Sequence, residues 1–189
     1  MAIIERLIQI EQVATNESEP LTNFFKRLIK LKHKGEKMAF REIVKEGDAL
    51  LREKSKEVTK FDRKLGELLD DMWETMHKEN GVGLAGPQIG VLKRIVVIEI
   101  NKLCFEMINP VITEQKGEII GTEGCLSVPG KYGEVKRPQQ VTVKAQDRRG
   151  NYYTLTCENW LARCVCHETD HLDGILYIDK AENISDKEE

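Results

Sequence analysis

The sequence of 189 residues contains no apolar stretch long enough to span a membrane and no excess of positive charge. A membrane-spanning helix needs about 18 or more consecutive apolar residues. The first ten residues include Glu5 and Arg6, where a secretory signal would be apolar. The formal net charge of −3 gives no general attraction to nucleic acids or anionic lipids. These absences predict a cytoplasmic protein that neither crosses a membrane nor reads a nucleic-acid sequence.

The cysteines lack the spacing of a disulfide framework. The chain has five cysteines, an odd number, scattered along its length. This use is typical of reduced thiols, one or more of which can bind a metal. With 40% hydrophobic and 32% charged residues, the chain has the composition of one globular domain with a sizeable core. We predict this domain over residues 38–189, after an N-terminal extension over residues 1–37.

The extension differs in composition from the rest of the chain. Residues 21–37 are strongly basic, and their apolar residues recur at helical spacing: Phe24, Phe25, Leu28, Ile29 and Leu31. We favour a helix that packs on the domain or belongs to an extension upstream of Met38. The alternative is a basic amphipathic helix that binds RNA or another anionic surface, such as the ribosome near its exit tunnel.

The strongest chemical motif is His167-Glu168-x-x-His171. Residues four apart lie on the same face of an α-helix, so both imidazoles could bind one metal ion. Glu168 could then act as the base for a water on that ion. Residues 158–172 lack proline and glycine and are followed by Gly174, which predicts a helix that ends there. Its buried face would carry four residues: Trp160, Cys164, His167 and His171.

A catalytic metal site of this kind needs a third protein ligand. In the longer zinc-protease motif a third His would follow, but Tyr177 occupies its position, and no methionine follows for a Met-turn. The acids of the C-terminal tail lie in a charged segment that we expect to be solvated. Cys164 and Cys166 are two residues apart and would point in nearly opposite directions on a helix. Cys125 is the better candidate.

The glycine-rich segment GVGLAGPQIG, residues 81–90, formally matches the dinucleotide-binding pattern GxGxxG. That pattern needs a strand before it and a helix that begins within it. Here a predicted helix, capped by Asp62 and running to about His77, comes before it, and a predicted strand over residues 94–100 follows. We therefore reject nucleotide binding. The glycines instead allow a close approach of backbone to a ligand, and Gln88 brings an amide to the same place.

Other segments have the alternating pattern of strands: residues 105–113, 118–121, 135–145 and 152–156. Residues 40–44 are predicted to be extended, with a loop after them. The glycine and proline content of residues 122–133, which include Cys125, predicts a shaped loop rather than a regular element.

Three segments occur in one order: GVGLAGPQ (81–88), EGCLS (123–127) and HETDHLDG (167–174). In this order and spacing the chain resembles the peptide deformylases, over about residues 38–178. The resemblance implies an α+β fold with antiparallel β-sheets packed around a central, metal-bearing HExxH helix. It also implies removal of the N-formyl group from the N-terminal formylmethionine of nascent polypeptides, which would be the partners of the protein.

The resemblance assigns a metal by motif position. Cys125, His167 and His171 would hold one divalent ion, usually Fe²⁺ in this family, with Zn²⁺, Ni²⁺ or Co²⁺ found in its place. Metal-bound hydroxide would attack the formyl carbon, and Glu168 would act as general base and then as general acid.

The resemblance also assigns the groups that hold the substrate. Gln88 and the backbone N–H of Leu126 would stabilise the developing oxyanion. Arg137 would pair with the glutamate of the second segment. The pocket for the methionine side chain would be bordered by five residues: Val82, Gly83, Glu123, Gly124 and Cys164.

Two positions depart from the usual family segments. Gly86 replaces an alanine, and Cys166 replaces the glutamine before the first histidine. A glutamine there could orient the ligands, so its loss would affect the rate and the metal preference. Asp170 is either a further partner of the ligands or a solvated charge.

Three alternatives to a deformylase remain at this point. One is a different, small HExxH peptidase. Another is a binding protein whose metal is structural, with Cys164 or Cys166 as a fourth ligand. The last is a deformylase homologue with reduced catalysis.

Overall fold

Eight strands form two antiparallel sheets in residues 40–186, the part of the chain that the computed structural model describes. Their bounds are β1 Gly83–Ala85, β2 Ile95–Ile100, β3 Leu103–Lys116, β4 Ile119–Cys125, β5 Val128–Arg137, β6 Gln140–Gln146, β7 Tyr152–Glu158 and β8 Glu182–Asp186. The larger sheet has the order β1-β2-β3-β6-β7, and the smaller has the order β4-β5-β8. The predicted α+β fold with antiparallel sheets is confirmed. The predicted basic helix within residues 21–37 lies outside the described residues.

Two α-helices and three 3₁₀ helices complete the described chain: α1 Arg63–Lys78, α2 Asn159–Leu172, and the short turns Ala49–Arg52, Gly86–Ile89 and Tyr177–Asp179. Helix α1 begins where expected, because the Asp62 side chain accepts a hydrogen bond from the N–H of Leu65 (3.1 Å). Its apolar stripe packs on the larger sheet. No helix within residues 40–186 is long and apolar enough to cross a membrane.

Helix α2 lies between the two sheets. Its apolar residues pack with side chains of the larger sheet in one core cluster. On its other side, the Arg163 guanidinium donates to the carbonyls of Gly121 and Val135 in the smaller sheet (3.1 and 2.9 Å). The helix is followed, as predicted, by Gly174 in the left-handed conformation (φ +74°). Any side chain presented along its middle turns is therefore enclosed by protein.

The predicted burial of Trp160 on this helix is wrong. Trp160 is 49% exposed, whereas Cys164 and His171 are buried. The helix becomes buried only from Ala162, so its first turn projects beyond the core. Helical spacing identifies the side chains that share a face, but it does not reveal where along the helix the core begins.

The predicted loop over residues 122–133 is also wrong. Strand β4 continues to Cys125 and β5 begins at Val128, which leaves only two residues as the turn of a hairpin. The glycines there serve close packing within the strands rather than a loop. A Cβ added to Gly124, for example, would lie 2.8 Å from the ring of Tyr132.

The strand predicted over residues 135–145 is split between the two sheets. Residues 135–137 end β5 and residues 140–146 form β6. Pro138 separates them, because a proline has no N–H with which to continue a ladder. Residues 40–44, which were predicted to be extended, join neither sheet. Residues 182–186 are exposed, as expected, and pair with β5.

Candidate active site

Three side chains from two elements bring ligand atoms together. Helix α2 carries His167 and His171, whose ring centroids are 5.0 Å apart, and the β4–β5 hairpin brings Cys125 towards them. One ligand atom from each residue lies within 4.8 Å of the others, and the Cys125 Sγ is 3.2 Å from the His171 Nε2. Two imidazoles and one thiolate are a donor set for divalent transition metals, and three protein ligands are typical of a catalytic site. The residues therefore fit one such ion.

The two imidazoles differ in their electrostatic surroundings. Burial and the neighbouring His167 lower the pKa of His171 well below its usual value, so this ring is neutral, as a metal ligand must be. Burial would also lower the pKa of His167, but hydrogen bonds with Cys125 and Glu123 outweigh it and raise this pKa to about 10.

A buried carboxylate fixes the orientation of His167. The Glu123 Oε2 is 2.8 Å from the His167 Nδ1, which leaves Nε2 for a metal. Glu123 also accepts two hydrogen bonds from Arg137 (2.8 and 2.9 Å) and one from Arg163 (2.7 Å). Burial would raise the pKa of Glu123, but the bonds from Arg137 and His167 lower it to about 2. Glu123 therefore stays ionised, and its carboxylate faces a ligand histidine.

The same network includes Asp170, for which the sequence left two roles open. Its carboxylate accepts hydrogen bonds from the Arg137 Nη1 (2.5 Å) and the Lys180 Nζ (2.6 Å), and its side chain is 16% exposed. Asp170 thus supports the ligands through Arg137 and is not a solvated charge. Arg163 was not among the residues predicted from the sequence, although its position four residues before His167 places it on the same side of the helix.

Glu168 is buried beside the ligands and lies against the backbone of β1. A Cβ added to Gly83 would overlap the Glu168 Oε1, so only glycine leaves room for this carboxylate. The other oxygen, Oε2, has no hydrogen-bond partner within residues 40–186. Burial raises the pKa of Glu168 to about 7. A carboxylate of this pKa can both accept and release a proton near neutral pH.

Gln88 is held in a fixed orientation by its own turn. Its Oε1 accepts a hydrogen bond from the N–H of Ala85 (2.8 Å), so its Nε2 points the other way. The Nε2 donates to the Cys125 Sγ (3.4 Å) and to the Ser127 Oγ (3.3 Å). The structure therefore brings the amide predicted from the sequence directly beside the ligand cluster. Leu126 lies in the hairpin turn, next to Cys125.

The five residues predicted to border a substrate pocket have different surroundings. Val82 is 42% exposed and Gly124 is exposed, while Gly83 lies against Glu168. Glu123 and Cys164 are buried, and burial raises the pKa of the Cys164 thiol far above its usual range. Val82 and Gly124 are therefore accessible from solvent, whereas Gly83 and the side chains of Glu123 and Cys164 are enclosed by protein.

Two other sequence positions are explained by the geometry. The Tyr177 ring stacks on His167 with centroids 6.0 Å apart. The residue at the sequence position of the third protease histidine therefore packs against one of the candidate ligands. Cys166 is 5% exposed and belongs to the core cluster on the larger sheet. Within residues 40–186, its thiol makes no hydrogen bond to a ligand or to Glu123.

Comparison with known proteins indicates the family of this chain. A family model described as Polypeptide deformylase matches residues 40–187. A peptide deformylase from Caldicellulosiruptor bescii is 56% identical over 152 residues, which are 80% of this chain and 92% of the relative.

Solved structures agree as well. The structure of a peptide deformylase from Legionella pneumophila is 45% identical with a TM-score of 0.74, over 77% of this chain and 88% of that one. A Met-Ala-Ser-bound class I type b peptide deformylase from Acinetobacter baumannii is 32% identical with a TM-score of 0.73, over 76% of this chain and 99% of that one. The resemblance inferred from three short segments is confirmed: the chain belongs to the peptide deformylase family of enzymes.

Proposed function

We propose that this protein removes the formyl group from the N-terminal formylmethionine of nascent polypeptides, with one divalent metal held by Cys125, His167 and His171. The observation that carries the proposal is the convergence of these ligand atoms within 4.8 Å, with Glu168 and Gln88 beside them. When bound, such a metal supplies a Lewis acid and an activated water near neutral pH. Fe²⁺ is the ion that we expect, with Zn²⁺, Ni²⁺ or Co²⁺ as substitutes.

Glu168 is the group that moves the proton in this proposal. It takes a proton from the attacking water and passes it to the amine nitrogen as the bond between the formyl carbon and that nitrogen breaks. Its burial supports this role, because a carboxylate excluded from bulk water exchanges protons with the reacting groups rather than with solvent. Its contact with Gly83 fixes the carboxylate beside the backbone of β1.

Gln88 and Leu126 stabilise the oxyanion that develops on the formyl oxygen. The Gln88 amide is oriented before substrate arrives, because its oxygen is already bound to the N–H of Ala85. Such preorganised donors cost no reorganisation during the reaction, and each is typically worth roughly 3–4 kcal/mol.

The peptide binds in an extended conformation between the two sheets. Both β1 and β4 are terminal strands of their sheets, so each has one backbone edge that no strand of the described chain pairs with. Gly83, which contacts Glu168, begins β1, and the ligand Cys125 ends β4. The catalytic groups of this proposal therefore lie beside these two edges. Edge strands bind extended peptides through main-chain hydrogen bonds. The Met-Ala-Ser-bound relative supports a peptide ligand of this kind.

The methionine side chain occupies a pocket bordered by the five predicted residues: Val82, Gly83, Glu123, Gly124 and Cys164. Because the carboxylate of Glu123 is bound to Arg137 and His167, we expect only its backbone to face the methionine.

The alternative of a structural metal has little support. Neither Cys164 nor Cys166 joins the cluster of ligand atoms within residues 40–186, so these residues offer no fourth protein ligand to close the site. The alternative of a general HExxH peptidase predicts hydrolysis of unformylated peptides.

The test is turnover of N-formyl-Met-Ala-Ser by protein purified without oxygen, with the metal content measured on the same sample. Release of formate with about one metal per chain would establish the activity and identify the metal. Unformylated peptides of the same length serve as the control, and their hydrolysis would favour the peptidase. A metal-loaded protein without turnover would refute the proposal.

The ribosome is a further proposed partner, because nascent chains emerge from it. Deletion of residues 1–37 followed by co-sedimentation with ribosomes tests the role of the basic segment. Unchanged binding after the deletion would exclude that role.

A further inference from the structure

Three consecutive residues outside the three family segments, residues 44–46, form hydrogen bonds with the turn that carries Gln88 and the turn that carries Leu126. The N–H of Val44 donates to the carbonyl of Gln88 (2.8 Å), and the N–H of Glu46 donates to the carbonyl of Ser127 (2.7 Å). Between them, the Lys45 Nζ donates to the carbonyl of Leu126 (2.8 Å). This segment therefore joins the Gln88 turn, which follows β1 of the larger sheet, to the hairpin turn of the smaller sheet.

The bond from Lys45 reaches the thiolate ligand through a single peptide unit. The carbonyl of that unit belongs to Leu126 and accepts from the ammonium group. The N–H of the same unit belongs to Ser127 and donates to the Cys125 Sγ (3.4 Å). Hydrogen bonds in a chain polarise one another, and a charged donor polarises most strongly. A cation on the carbonyl therefore makes the N–H a stronger donor to the sulfur.

We propose that Lys45 is a positioning residue for the reaction, acting through the Leu126–Ser127 peptide on the Cys125 thiolate and on the oxyanion donor Leu126. The inference rests on the proposed function. Lys45 itself touches no ligand atom, so its effect on the metal is indirect. By polarising the peptide it withdraws charge from the sulfur, and by holding the carbonyl it fixes the turn that carries the Leu126 N–H.

Lys45 is well suited to a direct test because it is exposed. A substitution there removes no buried side chain and leaves no cavity, so the fold should be retained. Lys45→Met removes the charge but keeps the length of the side chain, and Lys45→Arg restores a cationic donor. Lys60→Met is the matched control, because Lys60 is also exposed and its side chain makes no hydrogen bond or ion pair found within residues 40–186.

The first measurement is the thiolate-to-cobalt charge-transfer band of Co²⁺-loaded protein, recorded without substrate. A weaker hydrogen bond to the sulfur raises the energy of its lone pairs, so we expect this band at longer wavelength in Lys45→Met. Lys45→Arg and Lys60→Met should keep the wild-type band. The second measurement is the turnover of N-formyl-Met-Ala-Ser. Here we expect kcat to fall about tenfold in Lys45→Met, with KM little changed. A tenfold fall is the lower end of the range of about 10–100-fold that follows the loss of a group supporting a metal ligand.

An unshifted band together with an unchanged kcat in Lys45→Met would overturn the proposal. A Lys45→Arg variant that behaves like Lys45→Met would also overturn it, because the cationic donor would then not be what matters. Wild-type protein that does not turn over the formylated peptide would refute the proposed function instead. The band comparison needs no substrate, so it would still decide whether Lys45 acts on the thiolate.

Discussion

The substitution Glu123→Gln tests the buried network that supports His167. Glutamine has nearly the same shape as glutamate, so the change creates no cavity. It removes the negative charge that faces two buried guanidinium groups, those of Arg137 and Arg163. It also replaces one acceptor oxygen with an amide NH₂, which removes one bond from Arg137 together with the bond from Arg163 on Oε1 or the bond from His167 on Oε2.

The expected loss of folding stability depends on the hydrogen-bond partners that the two arginines keep. Removing one member of a buried ion pair costs about 3–5 kcal/mol. Arg137 keeps its bond to Asp170, and Arg163 keeps its bonds to backbone carbonyls, so we expect the lower end of that range. For a domain of this size, a loss of about 3 kcal/mol corresponds to a decrease of roughly 6–12 °C in Tm. Where the NH₂ takes the Oε2 position, His167 also loses the partner of its Nδ1, which should weaken metal binding about 10–100-fold.

Two measurements separate these effects. Thermal unfolding is recorded with the metal removed, because bound metal adds its own stabilisation, and Zn²⁺ affinity is then measured by competition with a chelator. Glu134→Gln is the matched control on β5, because Glu134 is exposed and its side chain accepts a hydrogen bond only from an exposed Asn183 among the side-chain hydrogen bonds of the described residues. We expect that control to change stability by less than about 0.5 kcal/mol. A Tm for Glu123→Gln within about 2 °C of wild type, with unchanged affinity, would refute the reasoning.

Three further substitutions test the catalytic groups and the family departures. Glu168→Gln should keep its metal but lower kcat about 10²–10⁴-fold, since the proton acceptor is lost; metal analysis and peptide turnover on one sample check this, and retained turnover would exclude the role. Gly83→Ala should lower kcat strongly while changing Tm little, because its methyl group would overlap the Glu168 carboxylate. A fall in Tm with full activity would contradict this contact. Cys166→Ala should leave Zn²⁺ affinity nearly unchanged in the chelator assay, whereas a loss beyond about tenfold would show that this thiol supports the ligands.

The sequence predicted the metal-bearing helix well because its signals are local. The spacing of His167 and His171, the absence of proline and glycine before them, and Gly174 after them all lie within one short segment. The start of α1 at Asp62 was predictable for the same reason, since one side chain caps one nearby N–H. Cys125 lies more than 40 residues away, and only exclusion of other candidates and the family resemblance selected it.

The parts that the sequence did not predict depend on contacts between distant segments. Glycines near Cys125 suggested a loop, but Gly124 packs against Tyr132 on the neighbouring strand and Gly133 against Ala181, which is far away in the sequence. Gly121, which precedes them in the chain, packs against the similarly distant Arg163. Arg163 itself looked like an ordinary charged helix residue. Its burial follows from the smaller sheet that covers this side of α2, and helical spacing carries no information about that sheet.

The contacts of Cys166 indicate what the replacement of the family glutamine at this position would change. A residue at this position matters to catalysis only if it orients a ligand or binds substrate. His167 is instead oriented by Glu123, which Arg137 and Arg163 hold in place. The Cys166 side chain packs in the core on the larger sheet. Among the described residues these contacts give the Cys166 thiol no part in orienting His167, so we expect residue 166 to have little effect on catalysis, the result that the Cys166→Ala variant checks.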